Sequence, residues 1–84
     1  ICTDHPETPL QYLPLCAALA VRSGMDEAAA LRAITWNPAR IAGLDSRVGA
    51  LKAGLDADIV VLTGSPLELG SAVTAVFVGG EKVV

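Results

Sequence analysis

The first half of the chain carries apolar residues at helical spacing. Before Gly24, Leu15 and Leu19 lie one turn apart, which predicts an amphipathic helix. Proline is tolerated in the first turn of a helix but not in its interior, so Pro14 places the start of the regular helix near Leu13. Gly24 has the conformational freedom that a helix C-terminus often needs, and it is predicted to end this helix.

Two further short helices are predicted before the middle of the chain. Asp26 is a good N-cap for the first of them, which extends to about Thr35. The pair Asn37-Pro38 then predicts the start of the second of these helices, with Asn37 as the cap and Pro38 as the first helical residue. Gly43 is predicted to stop this last helix after one or two turns.

The pattern changes to β-structure after Leu44. The apolar run from Ile59 to Leu62 is uninterrupted, as in a strand buried on both faces. The dipeptide Gly79-Gly80 is typical of a hairpin turn between two strands. The predicted strands, each rich in Val, Ile or Leu, are 48–51, 57–62, 73–78 and 81–84.

The opening stretch differs from the rest in its chemistry. Residues 1–4 are predicted to be the end of a buried strand, and His5 to Pro9 a loop. Asp4 would then stand at the carboxyl end of a strand, the edge where parallel α/β folds do their chemistry. The chain also begins within an element and without an initiator Met, so we expect a piece of a larger enzyme.

The composition supports that expectation. Hydrophobic residues make up 52% of the 84 residues and charged residues 18%, against about 25% charged in ordinary domains. Small domains bury a smaller share of their surface than large ones, so the excess predicts apolar faces that are covered by something outside these residues. The alternative is an ordinary core rich in Ala and Val.

Charge and cysteine content exclude several functions. The net charge is −3 and the pI is about 4.8, with no basic stripe, so nucleic acid is not an expected partner. No apolar run reaches the roughly 20 residues of a membrane span, so no membrane association is expected. Cys2 and Cys16 do not form a disulfide framework, and two free thiols indicate a cytoplasmic protein.

Several motifs in order resemble the C-terminal end of the metal-dependent amidohydrolase superfamily. Among its branches, the imidazolonepropionase-like enzymes and related cyclic-amide or peptidase-type hydrolases are the most similar. The resemblance covers nearly the whole chain. The motifs are Thr3-Asp4-His5, the run from Gly24 to Thr35, Asn37-Pro38-Ala39-Arg40, the block Val48 to Gly54, Ala57-Asp58 with the apolar run after it, and Val76 to Gly80.

The resemblance implies a fold for each half of the chain. It implies an α/β fragment in which residues 1–44 are the last strand tip and helices of a (β/α)8 metallo-hydrolase barrel. Residues 45–84 would be strands of a small β-sandwich beside that barrel. The remainder of the parent chain would then be the main partner of this segment, with a homo-oligomer as a further expectation.

The resemblance also implies a reaction. The family hydrolyses C–N bonds of small amide or cyclic-amide substrates with a water activated by a divalent metal, expected here to be zinc. Asp4 matches the family's metal-binding Asp on the last strand and would be both ligand and proton shuttle. A metal site needs about three or four protein ligands, and this chain has one His. These 84 residues alone are therefore expected to be inactive.

Alternatives remain at each of these positions. Asp4 is also suited to capping the turn that follows it. His5, next to a strand tip, is expected to be a solvated or capping residue, although it would also be placed to line a pocket. Asp58 is predicted to bind turn amides at the edge of the β-layer. As a whole, the chain would alternatively be a freestanding, non-catalytic α+β module that oligomerises through its apolar faces.

Overall fold

The computed structural model of the chain describes residues 1–84. Helices occupy the first half and a three-stranded antiparallel sheet the second, which makes a small α/β arrangement. No helix combines the length and the apolarity that crossing a bilayer would require. The elements are a 3-10 helix (Leu10–Tyr12), α1 (Leu13–Arg22), α2 (Glu27–Ile34), α3 (Trp36–Ile41), β1 (Ile59–Leu62), β2 (Val73–Val78) and β3 (Glu81–Lys82).

Helix α1 begins and ends as its sequence predicts. Pro14 lies in the first turn, where its missing N–H would have had no partner in the helix. At the other end, the Gly24 N–H donates to the Val21 carbonyl at 3.0 Å, and the Met25 N–H donates to the Ala20 carbonyl at 3.0 Å. These two bonds form a Schellman motif, and Gly24 adopts the positive φ of 115° that the motif needs.

Helix α2 is capped as predicted, but α3 is not. The Asp26 carboxylate accepts the Ala29 N–H at 3.0 Å, which satisfies one of the free donors of the first turn of α2. The predicted cap at Asn37 is wrong, because α3 starts at Trp36 with Thr35 before it. Since Thr35 alone separates α2 from α3, the chain re-enters a helix two residues earlier than predicted, and Asn37 falls inside the first turn.

The sheet contains three of the four strands predicted after Leu44, in the order β1–β2–β3. Its last hairpin turns at Gly79 and Gly80, with φ of 59° and 84°. A type I′ turn needs positive φ at both central residues, so the predicted hairpin is confirmed. Beyond β3 the Val83 N–H still donates to the Val76 carbonyl at 2.8 Å, so the pairing with β2 extends past the last strand residue.

Two predicted strands are absent, and a third is less buried than expected. Residues 1–3 have no regular structure and residues 4–7 form a turn, because no other strand of this chain lies beside them to accept their backbone hydrogen bonds. Residues 48–50 are bent and Leu51 has no regular structure, and the Val48 N–H donates instead to the Leu44 carbonyl. In β1, Val60 and Val61 are 51% and 43% exposed, so the strand is not buried on both faces within this chain.

The interior of the chain is very small. Four residues are buried, namely Thr3, Ala17, Ala30 and Ala39, and no large side chain is fully buried. The alanines lie on the three helices, where small side chains let the helices approach one another closely. The ordinary Ala/Val-rich core considered from the composition is therefore wrong. Large apolar side chains are exposed on the helices and on the sheet, with Ile41 at 88%.

The two halves meet through a few specific contacts. Gly49 packs directly on α3: a Cβ added there would lie 2.7 Å from the Ala39 Cβ. The Ser65 hydroxyl, in the loop between β1 and β2, donates to the Glu27 carboxylate on α2 at 3.1 Å. These contacts attach the second half of the chain to α2 and α3.

Candidate functional site

Asp4 is the first residue of a tight turn. The Glu7 N–H donates to the Asp4 main-chain carbonyl at 2.9 Å, and the His5–Pro6 peptide bond within the turn is cis. The Asp4 side chain is exposed, and its carboxylate makes no hydrogen bond or ion pair with the rest of the chain. The capping role considered for this carboxylate is therefore wrong, because the backbone carbonyl takes the turn amide.

The backbone of Asp4 is in an unusual conformation. Its φ is 53°, and it is the only non-glycine residue of the chain with a positive φ. The left-handed region costs an L-residue about 1–2 kcal/mol, somewhat less for Asp, whose short polar side chain tolerates it. Such outliers persist where surrounding structure holds them, and they are common at functional sites. Asp4 therefore combines an unusual backbone conformation with a carboxylate that has no partner within the chain.

His5 is bound to the start of the helical segment. Its Nδ1 accepts the Leu10 N–H at 3.0 Å, and Leu10 is the first residue of the 3-10 helix, whose N–H has no partner within that helix. The capping interpretation of His5 is therefore confirmed. A nitrogen that accepts a hydrogen bond carries no proton, which assigns the proton of the neutral imidazole to Nε2.

The residues of this chain can supply one ligand of a metal site. No three His, Cys, Asp or Glu side chains of residues 1–84 come together in a group able to hold a metal ion. Glu7 is exposed in the turn, and the Nδ1 of His5 is already used. The carboxylate oxygens of Asp4 are free, and zinc and harder divalent cations accept such donors. The donor chemistry therefore fits one position of such a site, and the other ligands would have to come from elsewhere.

Asp58 has the structural role predicted for it. Its Oδ1 accepts the Gly79 N–H at 2.9 Å, while the neighbouring Ala57 carbonyl accepts the Gly80 N–H at 3.0 Å. These two bonds attach the β2–β3 turn to the entry of β1. The strong sequence pattern around Asp58 is thus explained by the hydrogen bonds of a turn, and Asp58 is not a member of the candidate site.

One contact at the site has no signal in the sequence. The bond between His5 and Leu10 spans five residues, which matches none of the common capping patterns, in which the separation is two or three. The sequence indicated only that His5 was suited to capping. Its partner is fixed by the path of the loop 5–9, which no residue pattern specifies.

The chain is similar to known proteins along nearly its whole length. The model of the amidohydrolase family matches residues 1–83, so the chain belongs to the amidohydrolase family. It is similar to the amidohydrolase tasK of Hapsidospora irregularis, with 40% identity over 78 residues. It is also similar to the crystal structure of an amidohydrolase from Thermotoga maritima MSB8, with 42% identity and a TM-score of 0.92.

The two matches cover the chain almost completely but only a small part of each relative. The tasK match spans 93% of this chain and 8% of tasK, and the structural match spans 96% of this chain and 21% of the Thermotoga protein. The predicted membership of the amidohydrolase superfamily is confirmed.

Proposed function

We propose that these residues are the C-terminal part of a metal-dependent hydrolase that cleaves the C–N bond of an amide or a cyclic amide. Residues 1–44 would complete the catalytic barrel, and residues 45–84 would belong to a β-sandwich beside it. The family match over residues 1–83 supports the proposal, as does the helical first half followed by a β second half. The free thiols of Cys2 and Cys16 agree with a cytoplasmic enzyme.

The observation that carries the proposal is the state of Asp4. Its carboxylate is exposed and unengaged, on a backbone held at a φ of 53° by a closed turn. A carboxylate that served only solubility would need no such conformation, and a residue that served only the turn could be Gly or Asn. We infer that Asp4 is a metal ligand and a proton carrier in the intact protein.

The chemistry divides between the cation and the protein. A divalent cation, expected to be zinc, acidifies a bound water when it is present. An Asp4 carboxylate oxygen takes up the proton that the attacking water loses at the amide carbon. The same oxygen then donates this proton to the leaving nitrogen, which departs as a neutral amine. Asp4 ends the cycle ionised, as it began.

The test uses the intact protein, with whatever residues precede and follow these 84. Asp4→Asn keeps the shape of the side chain and tolerates a positive φ, but it cannot accept the proton. It should lower kcat by about 10²–10⁴-fold on N-acyl amino acids or cyclic amides, the usual contribution of a general acid–base. Glu7→Gln removes a carboxylate from the same turn, and it should leave kcat within about twofold. The amount of bound zinc is measured for both variants by mass spectrometry.

An Asp4→Asn variant with wild-type activity would overturn the assignment. The competing function, a non-catalytic oligomerisation module, has the exposed apolar faces in its favour. It predicts that the intact protein forms a defined oligomer in sedimentation and has no chelator-sensitive hydrolase activity. The proposed enzyme predicts activity that a chelator removes and zinc restores, and none from residues 1–84 alone.

A further inference from the structure

We propose that His5 is a positioning residue for Asp4. This inference rests on the proposed role of Asp4 and names the side chain that holds it in place. The imidazole would act through the backbone of the turn and touch neither the substrate nor the metal. The hydrogen bond that Nδ1 accepts from the Leu10 N–H would hold the turn in place.

The turn that carries Asp4 is held by two hydrogen bonds. The first, from the Glu7 N–H to the Asp4 carbonyl at 2.9 Å, closes the turn on itself. The second, from the Leu10 N–H to His5, attaches the turn to the 3-10 helix, which continues directly into α1. Without the second bond, no hydrogen bond would attach the turn to the helical segment, and residues 8 and 9 would be the covalent link between them.

The conformation of Asp4 makes this attachment important. A non-glycine residue at a φ of 53° relaxes to a commoner conformation unless its surroundings prevent it. The residue next to it in sequence is the one whose side chain reaches the helix. Loss of that bond should therefore reduce the fraction of molecules in which the Asp4 carboxylate points correctly. Activity falls in proportion to that fraction.

The same hydrogen bond also keeps the His5 imidazole from binding a metal ion. Nδ1 is occupied as an acceptor, so the proton is on Nε2. This tautomer leaves Nδ1 without a free lone pair for a metal ion. His5 is thereby separated from Asp4 in function, although the two are adjacent: one supplies the free carboxylate, and the other orients it.

The experiment compares three substitutions at His5 in the intact protein. His5→Ala and His5→Phe remove the acceptor, and Phe keeps a ring of similar shape. His5→Asn places its Oδ1 near the position of Nδ1 and restores an acceptor. We expect Ala and Phe to lower kcat by about tenfold, the effect of one lost hydrogen bond, with KM nearly unchanged. Asn should recover most of the loss.

A second measurement is independent of activity. Hydrogen exchange at the Leu10 amide, resolved by mass spectrometry with fragmentation, should be faster in His5→Ala and His5→Phe and close to wild type in His5→Asn. If the Ala variant does not fold, the comparison of Phe with Asn retains the test. The inference is overturned if Asn and Phe have equal kcat, or if exchange at Leu10 does not respond to the loss of the imidazole.

Asp4→Asn separates this inference from the proposed function. If Asp4→Asn is inactive while His5→Phe has wild-type kcat, Asp4 is catalytic and His5 does not position it, so the inference alone fails. If Asp4→Asn is fully active, the proposed function fails, and the inference fails with it. The supporting result is an inactive Asp4→Asn, a slow His5→Phe and a largely restored His5→Asn.

Discussion

Substituting Gly49 tests the contact between the two halves of the chain. Gly49 has a φ of 101°, and a Cβ added to it would lie 2.7 Å from the Ala39 Cβ and 3.2 Å from the Thr35 carbonyl oxygen. Real Cβ atoms do not approach that closely, so Gly49→Ala must push the segment away from α3. The neighbouring backbone of α3 cannot yield as a flexible side chain would, which makes the contact costly.

Two costs add at this position. The positive φ is unfavourable for Ala by about 1–2 kcal/mol, and overpacking of a close contact adds about 1–3 kcal/mol. Ala also lowers the conformational entropy of the unfolded chain, which stabilises the folded state by about 0.4–1 kcal/mol. We therefore expect Gly49→Ala to lower the free energy of unfolding by about 3 kcal/mol. Gly54 has a φ of 93° with nothing within 4 Å of its added Cβ, so Gly54→Ala should cost only about 1 kcal/mol.

The assay is urea unfolding of the intact protein, together with hydrogen exchange of the peptides that cover α3 and residues 47–56. The Gly54 variant measures the backbone cost alone, and the difference between the two variants measures the steric cost. A double variant, Gly49→Ala with Ala39→Gly, removes the 2.7 Å approach and should recover part of the loss despite a new glycine in α3. Equal destabilisation by Gly49→Ala and Gly54→Ala would refute the close contact.

Two further predictions concern single hydrogen bonds. Asp58→Ala leaves the Gly79 N–H without its acceptor, so it should lower the free energy of unfolding by about 1 kcal/mol and speed hydrogen exchange at the Gly79 amide. Asp58→Asn keeps an acceptor oxygen and should lower the free energy of unfolding by less. A Gly79 amide that exchanges equally in both variants would contradict the bond. Asp26→Ala removes the cap on the Ala29 N–H and should lower the free energy of unfolding by about 1 kcal/mol, while Asp26→Asn should be nearly neutral. Urea unfolding midpoints measure both variants. Similar midpoints for the Ala and Asn variants would exclude the cap.

Features decided by neighbours in sequence were predictable. Pro14, Gly24 and Asp26 each act within one helical turn of their own position, and each lies where the sequence placed it. The turn at Gly79-Gly80 is equally local, because its glycines alone supply the positive φ that joins β2 to β3. The role of Asp58 followed from the same kind of reasoning, since its position before an apolar run is typical of a carboxylate that binds turn amides.

Features decided by distant contacts were not predictable. The Val-Gly-Ala-Leu pattern of residues 48–51 is compatible with a strand, but Gly49 lies against α3 and the segment bends. At the site, the sequence singled out Asp4 through its resemblance to a family motif. The φ of Asp4 and the partner of His5 both depend on the path of the loop between them and the 3-10 helix, and loop paths follow from packing.

The predictions that failed at the N-terminus and in β1 have a common physical cause. Residues 1–4 have a strand-like sequence but no strand beside them, and Val60 and Val61 have the sequence of a doubly covered strand but are about half exposed. A pattern selected for burial indicates the neighbours that a segment has in its working protein, whereas the structure of 84 residues contains only the neighbours among those residues. This chain corresponds to 21% of the Thermotoga protein that it matches with a TM-score of 0.92. The exposed apolar faces and the unengaged Asp4 carboxylate fit the proposal in the same way. The segments that would cover the first, and the ligands that would join the second in a metal site, are not among residues 1–84.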